Sequence, residues 1–140
     1  MKIAVGSDHA GFDLKQRLAR NLERQGHQVL DLGTHGTESV DYPDFAGAVA
    51  GAVCDGRAER GLLVCGTGIG MSIRANRDPG VRAAKCNDPF EARMARAHND
   101  ANVLCLGARV VDASVAEELV TLFLATPFEG GRHSLRVAKL

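Results

Sequence analysis

Short apolar runs alternate with segments of helical spacing along this chain, and that alternation narrows the possible folds to very few. Lys2 to Val5, Gln28 to Leu32, Gly61 to Val64, Val81 to Ala84 and Val103 to Leu106 each have the length and composition of a strand. Between the first two, Leu14, Leu18 and Leu22 recur on one face of a helix that stops near Gly26. Phe45, Val49 and Val53 mark a second helix, with Asp44 as its N-cap after Pro43, and Ser72 to Asn76 lies in a short third. Asp88-Pro89 reads as the N-cap and first residue of a fourth helix, with Phe90, Met94 and Ala97 on its inner face. Ser114 is expected to cap a fifth, carrying Leu119, Leu122 and Phe123. Strands separated by helices pair in parallel through right-handed crossovers. The predicted class is therefore α/β, a Rossmann-like three-layer α/β/α sandwich around a five-stranded parallel sheet. One domain spans residues 1–140, and a Gly-Gly-Arg tail closes it.

Charge excludes several functions. Seventeen Lys and Arg are balanced by seventeen Asp and Glu, with no basic stripe to hold nucleic acid. There is no Trp, and the single Tyr, Tyr42, makes no stacking platform for bases. No apolar stretch approaches ~18 residues and a strand-like segment follows Met1 at once, so a soluble, cytoplasmic protein with no membrane partner is expected. Cys54, Cys65, Cys86 and Cys105 form no C-x-x-C pair and read as reduced thiols rather than disulfides or a zinc site. The five histidines show no metal-ligand spacing, and His27, His35 and His133 are expected on the surface. No metal and no organic cofactor is expected.

The chemistry concentrates at Cys65-Gly66-Thr67-Gly68-Ile69-Gly70, directly after Leu62-Leu63-Val64. A buried strand delivers a thiol to its carboxyl end, and the glycines that follow present backbone N–H groups where a helix begins. Such a place stabilises an anion and favours a thiolate. A buried cysteine acting as a small hydrophobe is the plainer reading. A phosphatase loop of the form Cys-x5-Arg is excluded, because Met71 stands where the arginine must be. The glycines read G-x-G-x-G rather than G-x-G-x-x-G, which weakens a dinucleotide site and leaves an oxyanion cradle as the better fit.

In such sheets ligands bind beyond the carboxyl ends of the strands. That rule gathers Asp8-His9, the Cys65 turn, Asn87-Asp88 and Gly107 to Arg109 at one rim. Asp8-His9 is either an ordinary turn pair or a carboxylate and imidazole that handle hydroxyl protons. His98-Asn99-Asp100 enters the fifth strand from the opposite end and needs tertiary placement to join that rim. It is either a helix C-terminus or a source of general acid–base chemistry. Arg132 and Arg136, four apart in the tail, are either a solvated pair or a two-armed phosphate clamp.

Together the motifs Gly6-Ser7-Asp8-His9-Ala10-Gly11, Asp41-Tyr42-Pro43-Asp44, Cys65 to Gly70, His98 to Leu104 and Gly130-Gly131-Arg132-His133 resemble the ribose-5-phosphate isomerase type B family, which includes galactose-6-phosphate isomerase subunits. The resemblance covers essentially the whole chain. It implies interconversion of ribose 5-phosphate and ribulose 5-phosphate, with Cys65 as the base between C2 and C1, Thr67 supporting that step, and the amides from Gly66 through Gly68, Ile69 and Gly70 as the anion hole. It further implies ring opening by His98, hydroxyl proton shuttling by Asp8, and sugar contacts from Asn99 and Tyr42. His9, Arg109, Arg132 and Arg136 would hold the phosphate. The implied assembly is a homodimer or dimer of dimers with shared sites, the tail (about 127–140) packing on a partner. Allose 6-phosphate, galactose 6-phosphate and tetrose phosphates are alternative substrates of the same reaction, and a non-catalytic phosphosugar-binding module is the alternative of a different class.

Overall fold

The computed structural model describes all 140 residues. The elements run β1 (Lys2–Ser7), α1 (Phe12–Arg24), β2 (Gln28–Asp31), α2 (Tyr42–Cys54), β3 (Arg60–Cys65), α3 (Ile69–Ala75), β4 (Ala83–Lys85), α4 (Pro89–Ala97), β5 (Val103–Gly107), α5 (Ala113–Ala125) and α6 (Arg132–Val137). The five strands form one parallel sheet in the order β2-β1-β3-β5-β4, the predicted α/β architecture. From β1 the chain moves outward to β2, then returns past β1 to lay down β3 on its other side. Such a reversal opens a crevice at the carboxyl ends of the two strands it separates. Ser7 is in register with Val64 there, so Asp8 and Cys65 leave the sheet side by side.

Side chains alternate between faces of a strand, and this chain uses both. Ile3, Val5, Leu62, Val64, Leu104 and Leu106 pack with Leu18, Leu22, Ala92, Leu119 and Phe123 in a core under α1, α4 and α5. Ala4, Leu63, Cys65, Val103 and Cys105 join Ala46, Val49, Met71 and Ala75 under α2 and α3. The Cys65 side chain therefore belongs to the α2/α3 layer. No helix is long and apolar enough to cross a membrane.

Several local expectations shift. α2 starts a turn earlier than predicted, with Asp41 as N-cap and Pro43 inside the first turn, where a proline needs no N–H partner; Asp44 lies within the helix and is not its cap. Asp112 rather than Ser114 is the N-cap of α5. Phe90 is not on the inner face of α4: it is 66% exposed. That helix instead buries Ala92, Ala95 and Ala97, small residues that let it lie close against its neighbours. β4 is shorter because the Val81 N–H donates to the Asp78 carbonyl in a turn, leaving Val81 outside the ladder. The Asp88 cap stands as expected. Its Oδ1 accepts from the Glu91 N–H at 2.9 Å, and Glu91 reaches back to the Asn87 N–H.

Candidate active site

Cys65 is the last residue of β3 and is 5% exposed. Its Sγ accepts a hydrogen bond from the Gly68 N–H at 3.1 Å. That geometry needs the chain to fold back within three residues. Gly68 does so at φ +78°, a conformation glycine takes without strain, and its α-carbon presses against the Leu106–Gly107 backbone, where a side chain would not fit. The Ile69 N–H donates to the Thr67 hydroxyl oxygen at 3.2 Å. The next two amides, Gly70 and Met71, open α3 and donate to nothing else in the chain. The turn thus spends two of its donors on fixing the sulfur and Thr67, and leaves the half-buried Gly70 N–H without a partner in the chain, while Met71 is fully buried.

Other elements bring the remaining groups of this rim. Asp8 is buried, its Oδ1 accepting from the Gly11 N–H at 3.1 Å. His9 Nδ1 accepts from the Val40 N–H at 3.2 Å, which puts the proton of the neutral ring on Nε2, pointing away from that bond. Tyr42, at the start of α2, lays its ring on Gly70 so closely that a β-carbon there would lie 2.5 Å from Cζ. Arg109 follows β5; its N–H bonds the Gly66 carbonyl at 3.0 Å and its guanidinium lies over Gly66. Lys85 Nζ donates to Asn87 Oδ1 at 2.6 Å on the same rim.

His98, Asn99, Arg132 and Arg136 do not join them. His98 caps the C-terminus of α4, before β5 begins at Val103, whereas Cys65 is in register with Gly107 at the other end of that strand. The strand alone separates the two ends by ~13 Å. The loop is clamped there: Asp100, at φ +46°, accepts from Arg96 Nη1 at 2.8 Å and from Arg82 Nη2 at 3.1 Å. Asp100 is thereby committed to structure, and Asn99 beside it stays exposed. Arg132 and Arg136 stand one turn apart on α6, both exposed. Neither they nor Arg109 enter any ion pair of the chain. Unpaired guanidiniums can receive an external anion, although those of Arg20, Arg24, Arg77 and Arg93 enter no ion pair either.

The tail holds a feature that sequence reasoning missed. His133 is not a surface residue; it is 5% exposed. Its ring stacks on that of His98 with centroids 4.1 Å apart and an interplanar angle of 12°. Glu129 Oε2 lies 3.5 Å from His133 Nε2 and 3.9 Å from His98 Nε2. The three ligand atoms lie within 4.8 Å of one another. The two lone pairs lie in stacked, near-parallel ring planes, which do not meet at one point as the ligands of a shared ion must. The only sequence signal was the invitation of a Gly-Gly-Arg-His turn to form a helix; nothing in it placed that helix against α4.

Known proteins resemble this chain over nearly its whole length. The family model described as Ribose/Galactose Isomerase matches residues 3–140. Ribose-5-phosphate isomerase B of Escherichia coli is 47% identical over 136 residues, covering 97% of this chain and 91% of the relative. D-erythrulose-4-phosphate isomerase of Pectobacterium atrosepticum is 43% identical over 141 residues, covering all of this chain and 93% of the relative. Among solved structures, ribose-5-phosphate isomerase B of Clostridium thermocellum superposes with a TM-score of 0.99 at 54% identity, over 99% of this chain and 94% of that one. With its thiol at the switch point, its unpaired arginines and its match over nearly every residue, the chain belongs to the ribose/galactose isomerase family.

Proposed function

We propose that this protein interconverts ribose 5-phosphate and ribulose 5-phosphate without a metal or organic cofactor. The observation that carries the reading is the Cys65 sulfur, buried at the topological switch point and held by the Gly68 N–H at 3.1 Å. A thiolate is the form that can take a proton from carbon, and the Gly68 N–H fixes where that sulfur stands. The thiolate removes the C2 proton from the open-chain aldose, negative charge builds on the C1 oxygen, and the amides of the Cys65 turn, with the unpartnered N–H of Gly70 foremost, receive it. The proton then returns to C1 while a hydroxyl proton passes between the two oxygens, with Asp8 as carrier. Thr67 borders the reacting carbons, and Tyr42 and Asn99 contact sugar hydroxyls. His98 opens the furanose ring by general acid–base action. His9, Arg109, Arg132 and Arg136 hold the phosphate, whose binding energy positions the reacting carbons.

This chemistry needs His98, Asn99 and the tail arginines beside Cys65, and a single chain keeps them at opposite ends of β5. A second copy of the chain brings them together, each subunit supplying Cys65 to one site and His98 to the other. The rims support such a contact. Ile69, Ile73 and Phe90 are each more than half exposed, and β4 is an unpaired sheet edge beside a groove of about 690 Å³ that includes Val81, Met94 and Leu140.

The test is turnover of ribose 5-phosphate by metal-free protein beside Cys65→Ala. The variant is expected to keep the fold and to lose about 10²–10⁴ in kcat. Full activity in Cys65→Ala would remove the thiol as base. A second reading, the same reaction on a tetrose phosphate, draws on the similarity to D-erythrulose-4-phosphate isomerase. Relative kcat/KM over pentose, tetrose and hexose phosphates separates the two. A binding module without turnover would fail to exchange the substrate C2 hydrogen with solvent.

A further inference from the structure

His98 stands at the C-cap of α4 with 39% of its side chain exposed, a poor place for a group that must meet a sugar ring at hydrogen-bond distance. A free imidazole there would sample several rotamers and lose that freedom each time it acted. The fold supplies a rigid surface against it. The backbone N–H of Glu129 donates to the Ala97 carbonyl at 3.0 Å, pinning the start of the tail on the last turn of α4. Glycines 130 and 131, at φ +67° and +55°, then turn the chain so that His133 enters the molecule one helical turn later. Its ring is buried, lies face to face with His98, and shares one carboxylate oxygen of Glu129 with it.

We propose that His133 is a positioning residue for His98, its buried ring the surface on which the ring-opening imidazole is held. This rests on the assignment of ring opening to His98. Stacked planar groups favour a fixed separation and tilt, so the stack holds the His98 plane while leaving its edge free for the sugar. The charge state suits the task. Burial lowers the pKa of His133, and the positive charge that His98, Arg132 and Arg136 can carry lowers it further, against the opposing pull of Glu129. A neutral His133 raises no repulsion when His98 takes up a proton.

Ribulose 5-phosphate offers a clean separation of steps. Its C5 oxygen carries the phosphate, so it closes no furanose ring, and exchange of its C1 hydrogen with solvent needs the base but not ring opening. The experiment compares wild type, His133→Ala and His133→Phe, with His98→Ala as reference, in two assays: turnover of ribose 5-phosphate and solvent exchange at C1 of ribulose 5-phosphate. His133→Ala is expected to slow turnover by about 10²-fold, the scale of a misplaced catalytic group, and to leave exchange within a few-fold of wild type. His133→Phe, which keeps a planar ring, is expected to recover most of the turnover. Unchanged turnover in His133→Ala would overturn the proposal. So would equal losses in both assays, which would give His133 a general role in holding the tail. If His98→Ala itself leaves turnover intact, it is the assignment of ring opening to His98 that fails, and the two results are distinct.

Discussion

Three of the four thiols in this chain are buried, yet their surroundings differ. Burial pushes the Cys105 thiol far up, with Cys65 and Cys86 adding to the effect, and Cys86 is pushed up to about 12 by burial and by Glu91 and Asp88. Both are inert side chains of the core. Cys65 alone has a backbone donor on its sulfur and a turn of amides beside it. The same local chemistry makes Gly70 informative. A methyl group there meets the Tyr42 ring at 2.5 Å, but Tyr42 is 40% exposed and can swing outward. Gly70→Ala also gains helix propensity in α3, up to ~1 kcal/mol. We expect thermal stability to stay near wild type and KM for the sugar phosphate to rise about tenfold, equivalent to ~1.4 kcal/mol. An unchanged KM would take Tyr42 out of the substrate contacts. Cys65 and its glycines were legible in sequence because their roles depend on a few adjacent residues. His133 was not, because a histidine in a tail carries no mark of what will pack on it.

At the scale of elements, α1 is tied to the edge strand β2 by an ion pair that no pattern announced. Lys15 is fully buried, with Nζ 2.5 Å from Asp31 Oδ1 and 2.8 Å from the Thr34 carbonyl oxygen. Asp31 keeps 28% of its side chain exposed and also accepts from the Gly33 N–H at 2.9 Å. The two partners are unequal. Asp31→Ala strands a buried ammonium and is expected to cost about 3–5 kcal/mol. Lys15→Met leaves a carboxylate that water can reach and puts an apolar chain in an apolar place, so the expected loss is smaller by at least ~1 kcal/mol. Urea unfolding of both variants checks the order, and a Lys15→Met loss equal to or larger than that of Asp31→Ala would refute it. Element identity was otherwise readable, since period and length distinguish strand from helix over a few turns. The phase of α4 differs from expectation for a related reason: periodicity follows the bulky Phe90, while close packing, chiefly against α5, selects alanines.

At the scale of the whole molecule, the proposed function divides the site into two halves at opposite rims of one sheet, Cys65 at one and His98 at the other. Mixing two inactive variants tests their union directly. Under that proposal, co-refolded Cys65→Ala and His98→Ala chains are expected to form mixed dimers in which one site holds both lesions and the other holds none. About one quarter of wild-type activity is expected from a statistical mixture. No recovery, with mixed dimers present, would place both halves of the site within one subunit.

The sequence by itself determined the order of elements, the parallel α/β class and the cysteine turn, together with the Asp88 cap. All of these follow from forces that act within a turn or two of chain: hydrophobic period, capping bonds and the conformational freedom of glycine. Only the tertiary structure decided that β5 would slot between β3 and β4, that His98 would therefore stand at the rim away from Cys65, and that His133 would leave solvent to stack on it. Those outcomes depend on which surfaces meet when the sheet is assembled, and on burial shared among residues remote in the chain, a quantity no local window of sequence contains.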